Sequence, residues 1–161
     1  MNNYNMTLEE LKQEQIKIIG FDPYDEKECL EAVKEYWCSL RFVINQTEEM
    51  CLEAIDSNHK AMIYVKEQTE ELCLKAVRSN PDSLKYIINQ TPEICLEAVK
   101  SDPCSLAFVR EQTKELCMEA VRKNGCVLQF VRNQTPEICL EALKQNEYAL
   151  QYIKDLSMIN W

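Results

Sequence analysis

Glycine is nearly absent: Gly20 and Gly125 are the only two in 161 residues. So small a supply of left-handed turn residues argues against an all-β fold built on tight hairpins. Histidine is scarcer still, with His59 alone, and no Cys-x-x-Cys pair occurs, so the usual donor spacing of a zinc site is missing. No run approaches the roughly 18 apolar residues of a membrane span. The amino-terminal stretch MNNYNMTLEELKQEQ has no basic start followed by an apolar segment, so it does not read as a signal peptide. Positive charge is also short: 18 Lys and Arg face 27 Asp and Glu, a formal net charge of -9. That balance disfavours nucleic-acid phosphate or anionic membrane as a partner. The expectation is a soluble protein of the cytoplasm.

Repetition is what the chain has in quantity. A block of the type TPEICLEAVKSDPCSLAFVREQ recurs six times with no insertion or deletion, at 25–46, 47–68, 69–90, 91–112, 113–134 and 135–156. Short fixed periods mark arrays in which each unit buries its apolar face only against its neighbours. In the fourth block Thr91 precedes Pro92 and Glu93, and Thr135, Pro136 and Glu137 repeat this in the sixth. Threonine as N-cap with proline at the first helical position is a helix start, because the hydroxyl takes an orphan amide and proline has none to orphan. Ile94, Cys95, Leu96, Ala98 and Val99 then form an apolar stripe at helical spacing.

A second start lies within each block: Asn80 before Pro81, Asp102 before Pro103, Asn124 before Gly125. Leu106, Phe108 and Val109 follow, matching Leu84, Tyr86 and Ile87 one block earlier. Each block therefore reads as two helices of roughly nine residues, too short to stand alone and held by stacking. Alanine occupies position eight of every block (Ala32, Ala54, Ala76, Ala98, Ala120, Ala142), as a close helix crossing requires. Phe42, Tyr64, Tyr86, Phe108, Phe130 and Tyr152 are expected to form an aromatic ladder through the core. The fold class is all-α, an α-solenoid forming a right-handed superhelical array of six two-helix repeats. Twice eleven residues would suit a right-handed coiled coil, but proline or glycine at position thirteen of three successive blocks breaks any continuous helix. A lipid-surface helix of the same period is set aside on the acidic charge and on the proline breaks that bound each helical half.

Residues 1–24 are read as an N-terminal segment with a capping helix, and 157–161 as a C-terminal cap. Thr7-Leu8-Glu9-Glu10 is a capping box opening a helix to about Ile19 that Gly20 closes, and this helix is expected to cover the first block. Trp37 and Trp161 are expected to seal the ends of the array, and residues 1–6 to be mobile. Nine cysteines do not form a disulfide scaffold. Six of them (Cys29, Cys51, Cys73, Cys95, Cys117, Cys139) share position five, so stacking places them about 8–10 Å apart, beyond disulfide reach. Cys38, Cys104 and Cys126 share position fourteen. Free thiols acting as small hydrophobes imply a reducing compartment.

The Thr-Pro-Glu start, the Cys-Leu-Glu-Ala-Val run, the Asn-Pro break and the Leu-x-Tyr/Phe-Val end resemble a tandem helical-repeat family of unknown function, found in giant viruses and some bacteria. The resemblance covers 25–156. It implies the repeat fold and no activity, and it points to a viral, phage or host-interacting origin, in which case the compartment is the host cytoplasm.

No hydrolase elbow, phosphate-binding glycine loop, metal cluster or catalytic triad is present, so no catalytic, cofactor-binding or metal-binding residue is assigned and the protein is read as a non-enzyme. Two surface patterns remain. Positions seventeen and twenty supply Arg41, Lys66, Lys85, Arg110, Arg132 and Lys154, interleaved with Ile44, Ile63 and Ile88, a mixed face suited to a partner protein. Glu49, Glu53, Glu93, Glu97, Glu115, Glu119, Glu137 and Glu141 stack into an acidic ridge, which helix-terminus and intrahelical pairing account for in part. The leading expectation is a non-catalytic scaffold that binds another protein. The alternative is an inhibitor of anti-defence type whose acidic ridge imitates nucleic acid. Gln46, Gln68, Gln90, Gln112 and Gln134, which end five blocks, are read as a hydrogen-bond ladder.

Overall fold

A computed structural model describes residues 7–159. The fold is an all-α repeat solenoid with no strand among the described residues. The helices are α1 (Leu8–Ile19), α2 (Glu26–Glu35), α3 (Glu48–Ser57), α4 (Glu70–Ser79), α5 (Pro92–Ser101), α6 (Lys114–Lys123) and α7 (Pro136–Gln145). Between and after them lie 3-10 helices: η1 (Trp37–Phe42), η2 (His59–Tyr64), η3 (Pro81–Tyr86), η4 (Pro103–Phe108), η5 (Gly125–Phe130), η6 (Glu147–Tyr152) and η7 (Leu156–Met158). The chain forms two compact units, residues 1–67 and 68–161. In the first, α2 packs on α3 and η1 on η2; in the second, α4 to α7 and η3 to η6 each pack on the next of their kind.

Local chemistry sets the start of each α-helix. Thr47, Thr69, Thr91, Thr113 and Thr135 each accept the backbone amide three residues on, and Asp25 does the same for α2. Each of these α-helices closes on an extended residue that is also the N-cap of the following 3-10 helix, as Asn80 accepts from the Asp82 amide and Asn124 from that of Cys126. Extended geometry there (φ near -149° at both) breaks the helix in two.

The second element of each block is shorter than the sequence suggests: six residues of 3-10 helix replace nine of α-helix. Runs of 3-10 helix beyond about four residues are uncommon, so a tertiary cause is needed. The block-ending glutamines supply it. Gln112 Nε2 donates to Phe130 O at 3.0 Å, and its Oε1 accepts the Arg132 amide at 3.0 Å. In an α-helix the Arg132 amide would bond to Leu128 O four residues back. The glutamine of the preceding block takes that amide instead, and Val131 N bonds to Leu128 O in 3-10 fashion at 3.1 Å. The same bidentate contact joins Gln46 to Tyr64 O and Lys66 N in the first unit. In the second unit it joins Gln68 to Tyr86 O and Ile88 N, Gln90 to Phe108 O and Arg110 N, and Gln134 to Tyr152 O and Lys154 N. The expected ladder is present and fixes the length of the second helix.

Burial follows positions four, five, eight, nine, sixteen and nineteen of the block, with position fifteen added: Ala61, Ser83, Ser105, Val127 and Ala149 are buried. The aromatic ladder is a correction. Phe42 is 38% exposed and its counterparts Tyr64, Tyr86, Phe108, Phe130 and Tyr152 are half-buried. With about three residues per turn, positions sixteen and nineteen share one line and position eighteen falls off it. That position instead contributes its carbonyl, which the glutamine holds. Position eight is a close crossing as expected: a Cβ on Gly125 would lie 2.3 Å from Ala142 O.

The N-terminal helix also departs from expectation. Its capping box forms and Gly20 closes it at φ 87°, but α1 buries none of its residues and Ile18 is 83% exposed. The segment after it covers the first block. Phe21 and Pro23 are buried, Pro23 O accepts the Ile44 amide at 3.1 Å, and Asp22 O accepts the Cys29 thiol at 3.3 Å. Pro23 O thus takes the position-twenty amide of block one, as the glutamine oxygens do in later blocks, without a donor for the position-eighteen carbonyl. Trp37 stacks on Tyr64 of the next block, with centroids 6.0 Å apart, rather than sealing an outer edge. The expectations for residues 1–6 and for Trp161 fall outside the described residues.

The position-five thiols are buried and free. Sγ of Cys51, Cys117 and Cys139 donates to Oε1 of Gln46, Gln112 and Gln134 at 3.8–3.9 Å. Desolvation, aided by Asp22, Asp25 and Glu28 for Cys29, by Glu48 for Cys51 and by Glu70 for Cys73, pushes these three thiols up to about 11.

Three outcomes follow. Ala98→Leu overpacks the crossing and lowers stability by about 1–3 kcal/mol; an unchanged denaturation midpoint would refute that placement. Gln134 is 7% exposed and contacts three backbone groups besides the Cys139 thiol. Gln134→Met therefore costs on the order of 2–4 kcal/mol by stranding those groups, read in the same titration. Because burial raises the folded thiol pKa, that contribution is complete below the ordinary value of 9.0 and is lost as pH rises toward about 11. The melting temperature should fall across that interval, and fall less steeply in a Cys51→Ala, Cys73→Ala variant.

Candidate functional site

The expected basic and isoleucine face is built largely into the backbone. Lys66 Nζ donates to Val43 O and Ile44 O, both at 2.8 Å, and Lys154 Nζ to Val131 O and Arg132 O at 3.0 and 3.1 Å. Arg110 and Arg132 donate to Ile88 O and Arg110 O. Position twenty thus supplies a cation that satisfies carbonyls at the end of the preceding block, where the chain leaves the 3-10 helix. Sequence reasoning found these residues but not this use, because the acceptors lie 22 or 23 residues away. Arg41 lies over Phe42, while Lys85 lies over Tyr86 and Phe108 and pairs with Asp82 at 3.3 Å. Ile44, Ile63 and Ile88 remain exposed, each in its own block.

The acidic residues are likewise tied across blocks. In the second unit Arg78 Nε meets Glu97 Oε1 at 2.9 Å and Arg122 Nε meets Glu141 Oε1 at 3.2 Å. Lys114 pairs with Glu137, and in the first unit Lys34 pairs with Glu49 at 3.9 Å. Position seven was expected to pair within its own helix. Glu141 does so with Lys144 at 3.6 Å, yet its shorter contact is to the preceding block. Glu53, Glu93 and Glu115 form no ion pair among the described residues, so the acidic side chains do not behave as one uniform ridge.

Within the second unit one junction differs from its two neighbours. Between α5 and α6 position ten is Lys100, not arginine, and no ion pair joins it to Glu119 among the described residues. Glu119 turns to Lys123 at 3.8 Å, and Lys123 Nζ donates to Lys100 O at 2.7 Å. Arginine offers a rigid planar fork, whereas lysine is a point charge on a flexible stem, so the clamp seen on either side is not made here. A groove of about 500 Å³ lies at this junction, the largest of the cavities described. Pro92, Cys95, Leu96 and Leu116 give it an apolar floor, and Lys100, Glu111, Glu115 and Glu119 line its rim. Its volume lies within the roughly 300–1,000 Å³ of ligand-binding clefts. The sequence marks it only by the exchange of arginine for lysine at one position.

Chemically the groove offers an apolar packing surface with three carboxylates and one ammonium at its rim. Cys95 is buried and its thiol is pushed up by desolvation, which disfavours the nucleophilic thiolate. Among the described residues no group of three or more His, Cys, Asp or Glu is placed to hold a metal ion. No described helix is long and apolar enough to cross a membrane.

Comparison with known proteins supplies a family. The family described as a domain of unknown function, DUF4116, matches four overlapping times, at residues 47–91, 69–113, 91–135 and 113–156. Each match spans two consecutive blocks. The first block, with Asp25 for threonine and Trp37 for proline, lies outside the matched residues. No curated protein and no solved structure matches. With about two thirds of its length matched as an overlapping tandem, the chain belongs to the DUF4116 family of helical-repeat proteins.

Proposed function

We propose that this protein is a non-catalytic repeat module that binds a partner protein, with the α5–α6 groove as its docking site. The observation that carries the reading is the unmade clamp. Two neighbouring junctions of the same unit are closed by arginine–glutamate pairs, and the one between them leaves an apolar floor open at the surface. Exposed apolar concavities ringed by polar groups are where proteins accept ligands. The concave faces of repeat arrays serve proteins more often than small substrates. The position-twenty cations are engaged with backbone carbonyls, so they support a partner face less well than the groove does. The inhibitor reading needs a continuous run of free carboxylates. The cross-block pairs at Glu97, Glu137 and Glu141 weigh against it.

The test is affinity capture from the native source with wild type, Leu96→Arg and Leu140→Arg. Leu96 lies in the groove floor, while Leu140 holds the same block position outside it. A partner kept by wild type and Leu140→Arg but lost by Leu96→Arg supports the reading. Equal retention by all three removes the groove from it.

A further inference from the structure

The charges on the groove rim define what it would accept, given the protein-binding reading on which this inference rests. Three carboxylates (Glu111, Glu115, Glu119) face one ammonium, Lys100. Glu111 and Glu115 form no ion pair among the described residues, and Glu119 has only Lys123 at 3.8 Å. Such carboxylates are hydrated and free to exchange water for a cation brought by a ligand. Their arrangement is linear: Glu115 and Glu119 lie four residues apart on α6, about 6 Å along the axis at 1.5 Å per residue. Glu111 lines the same groove from the loop before Thr113, the N-cap of α6.

Beside this line runs the floor of Pro92, Cys95, Leu96 and Leu116, whose most buried members, Cys95 and Leu116, are 4% and 7% exposed. Gln90 also lines the groove, but its amide is fully engaged: Nε2 on Leu84 O and Phe108 O, Oε1 on the Arg110 amide. It offers a ligand no free donor. Recognition therefore rests on an apolar anchor and on cations spaced along one edge. A small amphiphile with one cationic head meets only one of the three carboxylates. A peptide with several basic residues meets the row.

We propose that the α5–α6 groove binds a short linear segment of a partner protein in which a bulky apolar residue is flanked by lysines or arginines. The apolar side chain fills the space over Leu96 and Leu116, and the flanking cations lie along Glu111, Glu115 and Glu119. Lys100 on the opposite rim disfavours a basic residue on that side, which gives the segment one preferred direction. Basic stretches lacking an apolar anchor bind weakly, because exposed charge pairs alone contribute little.

The experiment uses the full chain and fluorescein-labelled synthetic decapeptides followed by anisotropy. One peptide carries a central tryptophan between lysine pairs, a second replaces the lysines with glutamates, and a third replaces the tryptophan with serine. The first is expected to bind wild type and Glu53→Lys, an exposed charge reversal in the other unit, with equal affinity. Glu111→Lys/Glu115→Lys should bind it about tenfold more weakly or worse, with an unchanged circular dichroism spectrum. The second and third peptides should not compete. Equal binding of the first peptide to wild type and the double variant overturns the proposal, as does equal binding of the serine peptide. Displacement by decylammonium at equal concentration overturns the assignment to a peptide. If Leu96→Arg abolishes partner capture while no basic peptide binds wild type, the segment assignment fails and the docking site stands. If the lysine peptide binds Leu96→Arg as well as wild type, both fail.

Discussion

One side-chain amide at the end of each block holds the next block in place. The glutamine presents a donor and an acceptor in one plane, and the following block offers a matching carbonyl and amide two residues apart, at positions eighteen and twenty. Glutamate could not donate to the carbonyl, and an aliphatic residue could do neither. This contact stops the second helix after six residues, because the amide that would extend it as an α-helix is already engaged. It also accounts for a repeat without insertions or deletions. The bonded groups are 18 and 20 residues from the glutamine, and a single added residue in either helix would carry them out of reach.

Other features depend on that contact. Because the chain turns extended after position eighteen, the carbonyls at nineteen and twenty are left without helical partners, and where position twenty of the next block is lysine, as at Lys66 and Lys154, its ammonium takes both. The buried thiol at position five adds a weak donor to the same glutamine oxygen at Cys51, Cys117 and Cys139. Alanine at position eight lets the preceding 3-10 helix approach the backbone, and the near contact of Gly125 with Ala142 O shows how little room remains.

A perfectly regular array of six blocks would have five equivalent junctions and no particular site. Function of the kind proposed requires that one junction differ. Here the difference is small in sequence, lysine where its neighbours carry arginine, and larger in structure, because a fork that bridges to the next helix is replaced by a stem that does not. Local variation of this kind is how a repeat can acquire a binding site without altering its core.

The all-α repeat, its block boundaries, the N-caps and the free thiols were legible in the order of residues, since each depends on groups within a few positions of one another. Thr91 caps the amide of Ile94 and Asn124 that of Cys126, partners only three and two residues away. The length of the second helix, the half-exposed aromatic row and the use of cations such as Lys154 were decided by contacts 18 to 23 residues away, which no local pattern displays. The groove belongs to this second class. Lys100 and Glu119 have the residue types of a salt bridge, and only the placement of two helices determines whether they meet.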